Sequence, residues 1–306
     1  MKFLRFVLSV LLVFFVVYIG IYKVYINEEN FKLKLEIIEN STVITRMSGI
    51  NQSAQSIEST ENPRWKPLEI IDPDDLIPEE LDYTKFVPFP NPRYQGSCNS
   101  CYAFAALSAI ETMKFLHTDK MVKLSEQEII DCIQVNYTHD LEGCEGGHVS
   151  DVFNYVAKFS VATEDSYPYR SESGEHAGEC QSKVKVDNLN LKGFGVVLTH
   201  NEELLKIILM EKGPIVVSLN INDLPIGNFS GVFELPCNKT HSHSALLVGY
   251  GVDDLTDDPF WKLRNSWGDS WGENGYFRVL RLSTHEMMFH KECPFAESGF
   301  YPVFGE

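Results

Sequence analysis

Gln95-Gly96-Ser97-Cys98-Asn99-Ser100-Cys101 opens a run from Tyr102 to His117 that reads as helix, with Phe104, Leu107, Ile110, Met113 and Phe115 recurring at helical spacing. Cys101 stands at the start of that helix. Backbone N–H groups there lack partners, and the helix dipole is positive, so a thiolate is favoured. A thiolate is held ready by a base. Far downstream, His243 precedes an apolar run, Gly249-Tyr250-Gly251 and then Asn265-Ser266-Trp267-Gly268. His243 can be the base, the Asn265 amide can accept its other ring N–H and Trp267 can shield that bond from water. Gln95 can aim a side-chain N–H at an oxyanion, with the Cys101 N–H as second donor. The combination is that of a thiol nucleophile with its base, a cysteine hydrolase.

Other readings exist for each part alone. Cys98-x-x-Cys101 fits a redox or zinc motif, but no second CxxC follows, as a zinc ribbon would need. His241-x-His243 near Cys237, with His285 and His290 downstream, has zinc-ligand chemistry but a spacing of little specificity. Asn265 alone would be a turn residue. We therefore expect no metal and no cofactor.

The chain has 306 residues, enough for one or two domains with real cores. A net charge of −17 leaves no basic surplus for phosphates and excludes a nucleic-acid partner. Acidic surroundings would relieve its self-repulsion, and an ordinary solvated acidic surface accounts for it equally. Seven cysteines are an odd number, so in an oxidising compartment one thiol is left over. Lys2 and Arg5 precede an apolar run from Phe6 to Tyr22, which fits a cleaved signal peptide and an uncleaved anchor alike. Either sends the rest of the chain to the lumen. Asn-x-Ser/Thr sequons at Asn40, Asn51, Asn136, Asn228 and Asn238 agree.

Residues 1–25 are expected to be the signal peptide or anchor. Residues 26–76 are polar, cysteine-free and rich in proline toward their end, and read as a short prosegment and linker. In the body, Ser125-Glu126-Gln127-Glu128 predicts a capping box opening a helix over 126–132. Strands are predicted at 193–198, 215–221, 245–250, 260–264 and 276–282, interrupted by a helix over 202–212 with Asn201 as N-cap. Helices first and antiparallel strands later make the class α+β, with a cleft expected at the joint.

From about Ile77 to its end the chain resembles the papain-like cysteine peptidases, the family of papain and the lysosomal cathepsins. The resemblance rests on the Gln95–Cys101 motif, Leu124-Ser125-Glu126-Gln127-Glu128 to Asp131-Cys132, Gly143-Cys144-x-Gly146-Gly147, Tyr167-Pro168-Tyr169, Gly213-Pro214, His243 to Gly251, Asn265–Gly268 and Trp271 to Tyr276. It implies a two-lobed α+β fold over 77–306, a helical left lobe and an antiparallel β-barrel-like right lobe with the active-site cleft between them. It implies Cys101 as nucleophile, His243 as base, Asn265 as orienting amide and Gln95 as oxyanion donor. Gly146 and Gly147 would pair with an extended substrate, and Val149, Ser218, His241, Ser244 and Ser298 would line the S2 pocket, with Trp267 beside the site. Disulfides Cys98–Cys144, Cys132–Cys180 and Cys237–Cys293 are implied, leaving Cys101 free.

The implied function is cysteine endopeptidase, since residues 147–167 hold no long insertion of the kind that makes exopeptidases of some relatives. The alternative is a peptidase-fold binding protein with little turnover. Implied partners are protein or peptide substrates and inhibitors of the cystatin type. A monomer is expected in the secretory lumen, lysosome or extracellular space, with membrane contact only through residues 6–22. Departures from the family pattern are Tyr102, Asn99, Ser242, His148 and Val149, with Gly49 to Gln55 as a degenerate prosegment patch.

Overall fold

The computed structural model describes residues 77–305 except 137–142, 175–177, 182, 188, 199–201, 222–223, 236–242, 283–295 and 297. The signal segment, the prosegment, Cys237, His241, Ser242, His285, His290 and Cys293 thus lie outside the described residues. So do the sequons at Asn40, Asn51 and Asn238 and the N-cap at Asn201; Asn228 is exposed in a loop.

Among the described residues there are four α-helices: α1 (Cys101–Thr118), α2 (Glu126–Asn136), α3 (Val149–Phe159) and α4 (Glu202–Lys212). Among the described residues eight strands form one sheet: β1 (Leu81–Asp82), β2 (Leu191–Leu198), β3 (Ile215–Leu219), β4 (Val232–Phe233), β5 (His243–Val252), β6 (Pro259–Arg264), β7 (Tyr276–Leu280) and β8 (Ser298–Phe304). The order is β2-β8-β3-β5-β6-β7-β4, with β1 paired to β5. All pairings are antiparallel except the two-residue parallel contact of β4 with β7, so the sheet is mixed.

Helix α1 is buried on every face from Tyr102 to Met113. Ala103, Ala105, Ala106 and Ala109 are small enough to let α2, α3 and strands β3, β5 and β8 close around it. It ends where Asp119 turns left-handed at φ 55° and its N–H bonds the Phe115 carbonyl. One contiguous core runs from Leu107 and Ile110 through Phe153 to Leu247 and Phe277.

The Leu124–Cys132 motif is scaffold chemistry. Ser125 Oγ accepts from the Glu128 N–H at 3.0 Å, which is half of the capping box. The other half is not made. Glu128 stays fully buried, accepting from the Ala162 N–H at 2.8 Å and the Tyr155 hydroxyl at 2.9 Å and pairing with Lys185, while the Ser125 N–H bonds the Ala162 carbonyl at 3.0 Å. Gln127 accepts from the Arg170 N–H at 2.8 Å, and Asp131 accepts from the Tyr167 hydroxyl at 2.6 Å and the Gly178 N–H at 2.6 Å. Residues 167–171 and Gly178 are thereby fastened to α2. Disulfides join Cys98 to Cys144 and Cys132 to Cys180, with Cα separations of 4.5 and 4.8 Å. Among the described residues no helix is long and apolar enough to cross a membrane.

Candidate active site

The site lies where α1 meets β5. Ser100 is the N-cap of α1, but its side chain makes no capping bond. Its hydroxyl sits 3.3 Å from the Tyr169 hydroxyl instead. The Ala103 and Phe104 N–H groups bond the Ser100 carbonyl, so the side-chain cap is not what occupies the first turn at Cys101, which is a free, partly buried thiol. Burial pushes the Cys101 thiol up, and the donor groups of Ser244 and Tyr102 act against that.

His243 is the first residue of β5 and is 6% exposed. Its Nε2 lies 2.7 Å from Asn265 Oδ1. The same Oδ1 accepts from the Ser266 N–H at 2.8 Å, which identifies it as the oxygen. An amide oxygen only accepts, so Nε2 carries the hydrogen and Nδ1 keeps a lone pair. Burial lowers the His243 imidazole to about 4, and the Asn265 hydrogen bond opposes that. The Trp267 ring lies 4.9 Å from the imidazole, tilted at 51°. Trp267 is in turn held edge-on by Trp271 at 4.9 Å, so the aromatic cover is anchored in the core.

Gln95 is buried. Its Nε2 donates to the Cys98 carbonyl at 2.7 Å, and its Oε1 accepts from the Ser266 hydroxyl at 2.6 Å. One amide hydrogen is thus used within the Gln95–Cys101 turn, and the second is left over. Tyr169 donates to the Gln95 carbonyl at 2.6 Å and packs edge-on against Phe104 at 5.1 Å. Sequence reasoning noted Tyr167-Pro168-Tyr169 and Ser266 as motif members only. Their signal was an aromatic hydroxyl and a serine flanking the reacting groups, whose partners appear only in three dimensions.

Gly146 adopts φ +118° and is half-buried. A Cβ on Gly147 would come within 2.5 Å of the Tyr102 ring, and the Tyr102 hydroxyl donates to the Gly143 carbonyl at 3.1 Å. Tyr102 is thus the wall against which the double-glycine segment rests. His148 is exposed as the N-cap of α3, and Val149 is 5% exposed within the core. Ser218 and Ser244 face one another across β3 and β5 with oxygens 3.2 Å apart, and Ser298 begins β8.

The reactive groups this part of the chain offers are a partly buried thiol, an oriented imidazole with a free lone pair and a spare amide hydrogen. Known proteins agree. The model of the papain family cysteine proteases matches residues 77–303. Zingipain-2 of Zingiber officinale is 33% identical over 234 residues, covering 75% of this chain and 98% of that protein. Cathepsin S of Rattus norvegicus is 33% identical over 233 residues, covering 72% of this chain and 66% of its own length. Among solved structures, the bromelain protease of Ananas comosus with the E64 inhibitor aligns with TM-score 0.63 and 27% identity, over 75% of this chain and 100% of that one. Procathepsin L 3 of Tenebrio molitor larval midgut aligns with TM-score 0.63 and 26% identity, over 76% of this chain and 72% of that one. With the His243 imidazole bonded to the Asn265 amide on a fold these proteins share, the chain belongs to the papain family of cysteine proteases.

Proposed function

We propose that this protein is an endopeptidase that cleaves peptide bonds through Cys101, His243 and Asn265. The observation that carries the reading is the His243 Nε2 to Asn265 Oδ1 contact of 2.7 Å, in the same site as a free thiol at the start of α1. Asn265 fixes the tautomer, so Nδ1 receives the Cys101 proton. The sulfur attacks the peptide carbonyl, and the spare Gln95 hydrogen and the Cys101 N–H take the negative oxygen. The imidazolium then returns its Nδ1 proton to the leaving amine as the C–N bond breaks. Water, deprotonated by the same nitrogen, releases the acyl group from sulfur.

Gly146 and Gly147 are the main-chain partners for an extended substrate, and Val149, Ser218, Ser244 and Ser298, with His241, contribute to its S2 subsite. Trp267 covers the His243–Asn265 bond. We place the mature domain at 77–306, behind a prosegment over 26–76, as a monomer in the secretory lumen, lysosome or extracellular space. Protein substrates and inhibitors of the cystatin type are its partners.

The test is hydrolysis of a panel of fluorogenic dipeptide substrates from acid to neutral pH with mild reductant, beside a Cys101→Ala control. Turnover lost in the control supports the peptidase. Folded protein freed of residues 26–76 that turns over nothing would favour a binding protein instead.

A further inference from the structure

We propose that the protein binds a single water molecule between helix α1 and the residues that follow β6, and that this water holds the second edge of the Asn265 amide. The inference rests on Asn265 orienting His243, and deepens that reading.

The Asn265 side chain can make four hydrogen bonds, two at Oδ1 and two at Nδ2. Both at Oδ1 are made, to the His243 ring at 2.7 Å and from the Ser266 N–H at 2.8 Å. Nδ2 is buried and donates to no group among the described residues. Asn265 is 4% exposed, so bulk solvent does not make up the deficit. A buried amide N–H without an acceptor is costly, and folded proteins supply one. The amide torsion is also broad, so bonds along one edge alone let the plane rock against the imidazole.

A cavity of about 20 Å³ lies against this amide. One water needs roughly 10–15 Å³, so one fits. The walls come from three parts of the chain. Phe104, Ala105 and Ser108 stand three, four and seven residues after Cys101, which is a single face of a helix. The cavity therefore lies along the face of α1 that carries the thiol. Ser244 lines it from β5, next in sequence to His243. Asn265 and Ser266 close it from the end of β6.

These walls suit water. Its oxygen accepts from Asn265 Nδ2, and its hydrogens have the hydroxyl oxygens of Ser108, Ser244 and Ser266 as acceptors. Ser266 gives its own proton to Gln95 Oε1 at 2.6 Å, so its oxygen is left to accept. Arg93 and Arg264 also reach the cavity, which raises an anion as the rival guest. Arg93 is already matched by Glu111 at 2.8 Å and Glu126 at 2.6 Å. Arg264 spends Nη1 on the Pro90 carbonyl at 2.9 Å and the Tyr276 hydroxyl at 3.1 Å. An ion would bear a desolvation cost there that a neutral molecule escapes. The water thus ties the face of α1 bearing Cys101 to the amide that orients His243.

The test is a crystal structure of the protein alkylated at Cys101, at a resolution that shows single waters, with a bromide soak beside it. It needs no turnover, so it is read independently of whether the protein hydrolyses any substrate. We expect one water peak within about 3.2 Å of Asn265 Nδ2 and no anomalous bromide signal there. No peak, or a bromide peak, would overturn the proposal. Hydrolysis by Ala105→Val and Ala105→Ser then reads the water's role. The valine methyls fill the cavity and leave Nδ2 without an acceptor, so kcat should fall about tenfold with KM little changed. Serine brings a hydroxyl oxygen into the same space and should restore most of that rate. An unchanged kcat in Ala105→Val would overturn the pinning role. An equal loss in both variants would do the same, since a loosened α1 penalises them alike. If Ala105→Val folds poorly, the peak in the parent still decides the site.

Discussion

Replacing Glu126 with glutamine should make this protein more stable at neutral pH. Glu126 is completely buried at the first turn of α2. Among the described residues the cation beside it is Arg93, whose Nη2 comes within 2.6 Å of Glu126 Oε1. That approach is poorly directed: neither Glu126 oxygen has a side-chain hydrogen bond, and the same Nη2 donates to Glu111 at 2.8 Å. Glu164 adds another carboxylate nearby. Burial therefore dominates and pushes the Glu126 carboxyl from 4.5 up to about 8. At pH 7 folding must take up a proton that the unfolded chain does not hold. The gap between 4.5 and neutrality makes that uptake cost about 3 kcal/mol. This group's contribution to stability is fully present below pH 4.5 and is lost as pH rises toward 8. Glu126→Gln keeps the shape of the protonated acid and needs no proton. Its advantage should reach about 3 kcal/mol at pH 7 and vanish near pH 4.5. Urea unfolding followed by tryptophan emission, with disulfides intact, at pH 4.5, 6 and 7.5 measures it. A variant no more stable than the parent at pH 7.5 refutes the reasoning, for then Glu126 is ionised and Arg93 satisfies it.

Asn265→Ala keeps the imidazole but frees its tautomer, so kcat should fall about 10²-fold with KM little changed, read by steady-state hydrolysis. Gly147→Ala drives a methyl against the Tyr102 ring at 2.5 Å, and should cost about 1–3 kcal/mol in denaturant unfolding and weaken substrate binding. The Cys132–Cys180 bridge spans a sequence separation of 48, so its removal by paired Cys→Ala changes should cost about 4 kcal/mol by loop-closure entropy.

The reach of the sequence follows the range of the interactions. Helix α1, the free thiol at its start and the His243–Asn265 pair were legible because the periodicity, the helix-start cysteine and the amide after the imidazole are local signals. Helix α3 was passed over although Val149, Val152, Phe153 and Val156 carry a helical stripe. Strand β8 was hidden by Pro302, which argues against a central strand. The structure removes the conflict: β8 pairs with β3 only at Gly299 and Phe300, so Pro302 faces a strand on one side alone. The parallel contact of β4 with β7 covers two residues and leaves no pattern to read. Glu128 looked like the closing half of a capping box because sequence shows the spacing and not the buried Ala162 N–H that outbids it.

The reacting groups come from segments more than 140 residues apart, so something must set their relative position more tightly than two lobes packed by apolar contact would. Residues 90–95 do this. The Gln95 N–H bonds the Ser266 carbonyl at 2.8 Å, and the Gly268 N–H bonds the Arg93 carbonyl at 3.1 Å. Arg264 donates to the Pro90 carbonyl at 2.9 Å, and the Ser266 hydroxyl closes on Gln95. The chain that leads into α1 is thus laced, largely through its backbone, to the loop carrying Asn265 and Trp267. Backbone bonds do not depend on side-chain identity. That accounts for where the chain departs from its family's pattern. Asn99 contributes its N–H to the Cys144 carbonyl at 3.0 Å and exposes its side chain. Tyr102 fills the space over Gly147. Both substitutions fall outside the lacing, so the frame that aligns sulfur and imidazole is untouched by them.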